Sequence, residues 1–184
     1  GREVLLFDGA TFQRLATFPV GRGPHEIVVS ADGRQAFVAD AGSPKDAGTT
    51  ISVLDLAARA VAKTLSLPQG CHPHDLRVSR DGSRLWSTCA PAPQVVELDV
   101  RSGVVTRTWE TGKEGGWMLL ATPDEQKLYV ANLEGRSLSA IDRRTNAVRT
   151  IALDGGAMGM DVSPDGRELW VGSGGGAAVR VGLW

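Results

Sequence analysis

The chain has 184 residues, of which 20 are basic and 21 acidic, so its net charge is -1 and its composition is ordinary for a globular protein. This balance argues against a broad electrostatic surface for nucleic acid or anionic lipid. No run approaches the roughly 18 apolar residues of a membrane-spanning helix, and no basic start followed by a short apolar stretch indicates a signal peptide.

The predicted elements begin with two short strands and then follow a repeating order. The sequences EVLLFD and RLATF come first, and each later unit is predicted to hold four strands, a to d. Strand a is EIVVS, DLRVS, MLLAT or MDVS; strand b is AFVAD, LWSTC, LYVAN or LWVGS; strand c is SVLD, VELD or SAID; strand d is VAKTL, VTRTW or VRTI. No window keeps an apolar stripe at helical spacing, so we expect almost no helix.

Two landmarks repeat along the chain with one period of about forty residues, the range of solenoids and propellers. The first is Ser or Thr, any residue and Asp, found at Ser30–Asp32, Ser79–Asp81, Thr122–Asp124 and Ser163–Asp165. The second is the Asp that closes strand c, found at Asp8, Asp55, Asp99 and Asp142. Gly follows the first Asp in three copies, which predicts a tight hairpin between strands a and b because Asp-Gly tolerates positive φ angles.

Units of four antiparallel strands at this period predict an all-β fold, a β-propeller of four-stranded blades. We expect a half-blade over residues 1–21, blades over 22–68, 69–112 and 113–154, and a partial blade over 155–184. Large side chains that share two repeat positions are expected to pack between blades: Phe37, Trp86, Tyr129 and Trp170 at one, and Phe18, Leu65, Trp109 and Ile151 at the other. The segment GSPKDAGTT is predicted to be a long, mobile loop between strands b and c.

The repeat has a recognisable family signature. LYVAN, AFVAD and LWVGS, followed by ISVLD or LSAID and by SADGR or SPDGR, resemble the roughly forty-residue YVTN repeat of bacterial β-propellers, some of which are lactonase-like. The resemblance covers essentially the whole chain. It implies a seven-bladed ring, of which this sequence holds about four to five blades' worth, in a bacterial protein of the periplasm or the extracellular space. The start and end within strands indicate a segment of a longer protein, and a closed four-bladed ring is the alternative.

Candidate site residues lie on the rim that carries the variable loops before strands a and c. Seven positions before the repeat Asp, at the expected mouth of the central channel, stand His25, His74, Trp117 and Met158. Neutral imidazoles there can bind a metal ion or move a proton, and inner-strand histidines hold copper in propellers that resemble nitrous oxide reductase. The alternative is that these side chains fill the mouth and bond to a backbone carbonyl. Trp117 is also placed to stack on a ligand.

Two carboxylates stand beside the histidines. Glu26 and Asp75 are candidates for a general acid and base or for calcium ligands, as a resemblance to a propeller lactonase would imply. The competing interpretation is structural, because strand carboxylates often pair with a neighbour such as Arg77.

The densest cluster of reactive residue types is Cys71, His72, His74 and Cys89. Counting from the predicted hairpin places Cys89 roughly opposite His74, with Cys71 just beyond it. The spacing fits no common zinc pattern, so a disulfide, two free thiols and a metal site all stay open.

The sequence supports two functional hypotheses. The first is a non-enzymatic scaffold that binds an unknown protein or small ligand on the loop-rich rim, through His25, Glu26, His72, His74, Asp75 and Trp117. The alternative is an enzyme at the channel mouth, either a lactonase-like hydrolase or a metal-dependent oxidoreductase. No phosphate-binding loop or nucleophile elbow is present in the sequence, and no cofactor is required by it, with a metal ion as the open alternative.

Overall fold

A computed structural model describes residues 1–112 and 115–174, and the backbone of residues 178–182. The loop charges Lys113 and Glu114, which the sequence predicts to be solvated, lie outside the described residues. In those residues the chain forms seventeen strands and no helix. In chain order the strands are β1 (Glu3–Phe7), β2 (Arg14–Pro19), β3 (Pro24–Val29), β4 (Gln35–Ser43), β5 (Asp46–Asp55), β6 (Ala60–Ser66), β7 (Pro73–Val78), β8 (Arg84–Cys89), β9 (Gln94–Asp99), β10 (Val105–Glu110), β11 (Gly116–Ala121), β12 (Lys127–Asn132), β13 (Ser137–Asp142), β14 (Val148–Ala152), β15 (Ala157–Val162), β16 (Glu168–Ser173) and β17 (Ala178–Gly182).

The strands form five antiparallel sheets, in each of which neighbours in sequence are neighbours in space. We name them blade 1 (β1–β2), blade 2 (β3–β6), blade 3 (β7–β10), blade 4 (β11–β14) and blade 5 (β15–β17). The first strand of each of blades 2 to 4 lies against the first strand of the next blade, since β3 contacts β7, β7 contacts β11 and β11 contacts β15. The predicted class, an all-β partial propeller of four-stranded blades, is confirmed.

The Ser/Thr-x-Asp landmark forms the turn between the first two strands of each of blades 2 to 5. In blade 2 the Ser30 hydroxyl donates to Asp32 Oδ1 at 2.7 Å, and the Gly33 N–H donates to the Ser30 carbonyl at 2.8 Å. Gly33 has a φ of 68°, whereas Asp32 is not in the left-handed region. The Gly therefore supplies the positive φ, and the Asp instead accepts hydrogen bonds that close the turn.

The hydrophobic core lies between blades, as the repeat positions of the large side chains predict. Phe37 packs with blade 3, Trp86 with blade 4 and Tyr129 with blade 5, and each is at most 2% exposed. Trp170 occupies the same repeat position in blade 5 and is 49% exposed. Its exposure follows from its place on the last blade in the described part of the chain, where no further sheet covers it.

The segment GSPKDAGTT does not form the predicted loop. Strands β4 and β5 continue through it as a hairpin, with Asp40 opposite Thr50 and Ser43 opposite Asp46. The hairpin packs on the connection between blades 1 and 2, because the Gly42 N–H donates to the Arg22 carbonyl. The sequence prediction was wrong because Gly and Pro, which usually interrupt strands, here make a bulge and a turn within a longer pair.

Candidate functional site at the channel mouth

A β-bulge distorts the start of the innermost strand in each of blades 2 to 5. The pairing between β3 and β4 shifts after Pro24, and β7, β11 and β15 shift at the same repeat position. The residues in these bulges are His25–Glu26, His74–Asp75, Trp117 and Met158–Gly159. Bulges re-aim side chains and recur beside functional sites, so the backbone irregularity coincides with the predicted site position.

Three of the four mouth residues are in contact across three blades. The rings of His25 and His74 have centroids 3.9 Å apart and are tilted by 42°. The ring of His74 in turn meets Trp117 edge-on, with centroids 4.5 Å apart. His25 is exposed and His74 is half-buried. Met158, at the equivalent position of blade 5, is 57% exposed.

The orientation of His74 is set by the next blade. Its Nδ1 lies 2.8 Å from the carbonyl oxygen of Trp117, and because a carbonyl only accepts, Nδ1 carries the proton. Burial lowers the pKa of His74, and the neighbouring His25 lowers this pKa further. The imidazole is therefore neutral at pH 7, with its second nitrogen, Nε2, as an acceptor.

Asp75 holds two blades together. Its Oδ1 accepts from the Leu76 N–H and from Arg77 Nη1, both at 2.7 Å, and its Oδ2 accepts from the Leu119 N–H of blade 4 at 2.7 Å. Burial raises the pKa of Asp75, and Arg77 opposes that rise. With both oxygens bonded and the residue 2% exposed, Asp75 acts as a positioning residue that fixes the bulge beside His74.

Glu26 is more accessible than Asp75. Its Oε1 lies 4.0 Å from Arg77 Nη1, and its side chain is 38% exposed. Burial, followed by the charge of Asp75, raises the pKa of Glu26, while Arg77 and His25 lower it. Of the two predicted carboxylates, Glu26 is therefore the one that is accessible to a ligand at the mouth.

The indole of Trp117 has a polar partner on the rim. Its Nε1–H donates to Glu134 Oε2 at 2.6 Å, and this bond is exposed. Glu134 follows β12 and was not among the residues that the sequence indicated. No repeat signal marks it, because it lies in a variable turn.

His72 does not join the row of rings at the mouth, which consists of His25, His74 and Trp117. Its Nδ1 donates to the Gly48 carbonyl at 3.0 Å and so ties the β4–β5 hairpin to the start of blade 3. Its observed contact is structural.

Cys71 and Cys89 form a disulfide, with their Cα atoms 4.4 Å apart. The bond joins the loop before β7 to the end of β8, and both residues are buried. In this state neither sulfur is a thiolate, which is the form that binds metal ions.

Two buried polar groups lie outside the predicted site. Asp40 Oδ2 accepts from the hydroxyls of Thr50 and Ser52, whereas its buried Oδ1 has no hydrogen-bond partner. Burial raises the pKa of Asp40. Glu97 is also fully buried and is bonded by several arginines. Glu97 stands at a strand position that holds Val53 and Ala140 in the neighbouring blades, and this charged exception is the signal that could have indicated it.

The described residues contain no group of three or more His, Cys, Asp and Glu side chains arranged to hold a metal ion. They also contain no helix with the length and apolar character needed to cross a membrane.

Comparison with known proteins identifies the fold. No protein-family model and no curated protein sequence matches the chain. Among solved structures, hydrazine synthase of Kuenenia stuttgartiensis superposes with a TM-score of 0.78 and 21% identity, over 93% of this chain and 49% of that one. A functionally unknown protein from Desulfotomaculum acetoxidans DSM 771 also gives 0.78, at 14% identity, over 94% and 56%.

The chain thus shares a β-propeller fold with these proteins. At these identities the similarity concerns the fold and not the activity. The chain spans about half the length of each of these two structures.

Proposed function

We propose that this chain is part of a YVTN-type β-propeller that works as a binding scaffold, with its ligand at the channel mouth. The observation that carries the proposal is the contact between His25, His74 and Trp117, which come from three different blades. Each side chain starts from a bulge, so three separate strands are distorted to bring them together.

The mouth combines the features of a pre-formed recognition site. Aromatic rings offer flat apolar faces, and Nε2 of His74 and the Glu26 carboxylate add polar groups that can orient a ligand. The surroundings are fixed by bonds between blades, including that from the Leu119 N–H to Asp75. A rigid site spends little free energy on ordering when a ligand binds.

We also propose that further blades complete a seven-bladed ring. This is supported by the exposure of Trp170 at a position where Phe37, Trp86 and Tyr129 are each covered by the next blade. It is also supported by the greater length of the proteins that share the fold.

A periplasmic or extracellular location is part of the proposal. The Cys71–Cys89 disulfide supports it, because disulfides persist mainly in oxidising compartments.

The proposal can be tested by NMR through tryptophan indole N–H signals. The probes are a fragment set of aromatic carboxylates, aromatic amines and monosaccharides, added to the ¹⁵N-labelled chain. We expect at least one class to shift the Trp117 indole signal saturably, with the signal assigned from its loss in Trp117→Phe. His25→Ala should weaken the same titration, because it removes the outermost ring of the row.

Trp109 is the internal control for this experiment. It lines a groove of about 580 Å³ between blades 3 and 4, and its Nε1–H donates to Asn146 in that groove. If fragments move the Trp109 signal and leave Trp117 unchanged, the binding site lies in the groove and the proposal is wrong.

The alternative function, an enzyme with its site at the same mouth, stays a prediction. Additional His, Glu or Asn residues at the mouth position of further blades would support it.

A further inference from the structure

We propose that the channel mouth binds a small organic cation, a protonated amine that a short chain joins to an aromatic ring. The inference rests on the proposed role of the mouth as a recognition site and names the class of its ligand. The row of His25, His74 and Trp117 supplies ring surface. A carboxylate stands at each end of the row, since Glu26 follows His25 and Glu134 is bonded to Trp117.

The hydrogen bonds already made by the rings leave acceptors for a ligand. The Nδ1–H of His74 donates to the Trp117 carbonyl, so Nε2 of His74 can only accept. The indole of Trp117 has a single N–H, which donates to Glu134 Oε2 at 2.6 Å. Because neither ring has a polar hydrogen left, a ligand that donates hydrogen bonds fits them better than one that accepts.

The carboxylate of Glu26 has unused hydrogen-bonding capacity. Its nearest cation is Arg77, whose Nη1 lies 4.0 Å from Glu26 Oε1, too far for a hydrogen bond. The same Nη1 donates to Asp75 Oδ1 at 2.7 Å and to the Leu76 carbonyl at 2.6 Å, and these partners hold it. With a side chain that is 38% exposed, Glu26 can accept a charge-assisted bond from a ligand ammonium group.

The rim is built around the bond between Glu134 and Trp117. Gly115 has a φ of 82° and lies against this pair. A Cβ atom at Gly115 would overlap Glu134 Oε2 and would come within 2.9 Å of Trp117 Nε1. The two side chains therefore occupy the space that a larger residue would need, and the indole is held in one orientation.

The charges around the row favour a cation over an anion. Glu26, Asp75 and Glu134 carry three formal negative charges, and Arg77 carries one positive charge, which leaves a sum of -2 without the histidines. The two loop charges outside the described residues are one of each sign and do not change this sum. Tryptophan also attracts cations to the face of its ring.

The test compares three probes that share a phenyl ring and differ in charge: 2-phenylethylamine, 2-phenylethanol and 3-phenylpropionate. The Trp117 indole signal of the ¹⁵N-labelled whole chain reports binding. We expect the amine to bind about 10-fold more tightly than the alcohol, and the carboxylate to bind most weakly. Raising NaCl from about 0.05 to about 0.5 M should weaken the amine several-fold and leave the alcohol unchanged.

Three variants locate the charge that is recognised. Glu26→Gln and Glu134→Gln should each weaken the amine about 5-fold and leave the alcohol unchanged, which also checks the fold. The new amide at position 134 can still accept from the Trp117 N–H. Glu125→Gln is the matched control, because it removes the same charge in the turn after β11, at the opposite end of that strand from Trp117. It should leave the affinity for the amine unchanged.

The outcomes separate this inference from the proposal on which it rests. If the alcohol or the carboxylate moves the Trp117 signal at concentrations as low as the amine requires, the ligand class is wrong and the recognition site stands. Equal losses in all three variants would show a general effect of net charge and would overturn the inference as well. If no fragment of any class moves the Trp117 signal, the recognition site itself fails.

Discussion

Glu97 offers the sharpest test of how the blades are held together. It lies on β9 in blade 3, has no exposed surface, and accepts a hydrogen bond from Trp86 Nε1 at 2.8 Å. Arg84 of the same blade donates to it at 2.9 Å, and Arg143 of blade 4 donates at 2.8 Å. The change we consider is Glu97→Ala, which removes the acceptor that these groups share.

The expected cost follows from the burial of the partners. Arg143 has a side chain that is only 14% exposed, and its guanidinium lies 4.5 Å from the ring centre of Trp86. Without Glu97, this cation and the Trp86 N–H lose their main partner. Breaking a buried ion pair from one side costs about 3–5 kcal/mol. At roughly 2–4 °C per kcal/mol for a chain of this size, the melting temperature should fall by about 6–20 °C.

The assay is urea and thermal unfolding, with Arg84→Ala as the matched control. Arg84 bonds to the same carboxylate but is 46% exposed, so its removal should cost less than about 1 kcal/mol. Arg143→Ala should cost clearly more than Arg84→Ala, because it also removes the contact with Trp86. If Glu97→Ala and Arg84→Ala cost the same, the burial argument is refuted.

The pH dependence provides an independent check on Glu97. Burial raises its pKa, but the Trp86 bond, the Arg143 bond and the arginine charges outweigh burial, so the pKa lies below the usual value of 4.5. The unfolded chain therefore binds this proton more tightly than the folded chain does. The contribution of Glu97 is fully present above pH 4.5 and is lost as the pH falls through the folded-state pKa. The stability difference from Glu97→Gln should shrink accordingly.

Three further changes test other parts of the structure. Asp40→Asn should raise the free energy of unfolding at pH 7, because burial raises the pKa of this carboxyl and the folded state loses stability as the pH rises through that pKa. Unfolding at pH 7 and at pH 4 should show that this gain shrinks in acid. Replacing both Cys71 and Cys89 by Ala should cost about 3 kcal/mol, from the 18-residue separation that the disulfide closes, measured by urea unfolding. His72→Ala should speed hydrogen exchange near Gly48, with unchanged exchange in blade 4 as the control.

The fold could be predicted from the sequence because the information is local and repeated. Each of blades 2 to 5 places a Ser or Thr, an Asp and usually a Gly at its first turn, and those residues close the turn by themselves, as Ser30 and Asp32 do. Hydrophobic alternation then gives the strands, and the recurrence of a large side chain at the Phe37 position gives the packing between blades. Because the local and the repeated patterns agree, they predict the same fold.

The site could be predicted only in outline. Counting from the repeat Asp brings His25, His74 and Trp117 to one level, but it cannot show that their rings touch. That contact depends on the bulges and on bonds between blades, such as the one from His74 to the Trp117 carbonyl. Asp75 illustrates the limit. Its partner in blade 4 is the backbone N–H of Leu119, and a backbone hydrogen bond does not depend on the residue type at that position, so the sequence cannot indicate it.

One repeat position explains why blade 3 carries a disulfide. At the end of the second strand, Asn132 of blade 4 donates to the hydroxyls of Ser137 and Ser139. Asp40 of blade 2 instead accepts from the hydroxyls at the same two levels, those of Thr50 and Ser52. In blade 3 the residue at the level of Ser139 is Val96, which offers no hydroxyl.

Cys89 therefore has no hydroxyl at that level to bond with, and its bond to Cys71 anchors the strand end instead. The covalent link also fixes the loop that leads into His74. The same position is thus held by hydrogen bonds in two blades and by a disulfide in the blade that contributes the central ring of the mouth. Reduction of this pair would remove the covalent link between the loop and the strand end in blade 3 alone among these three blades.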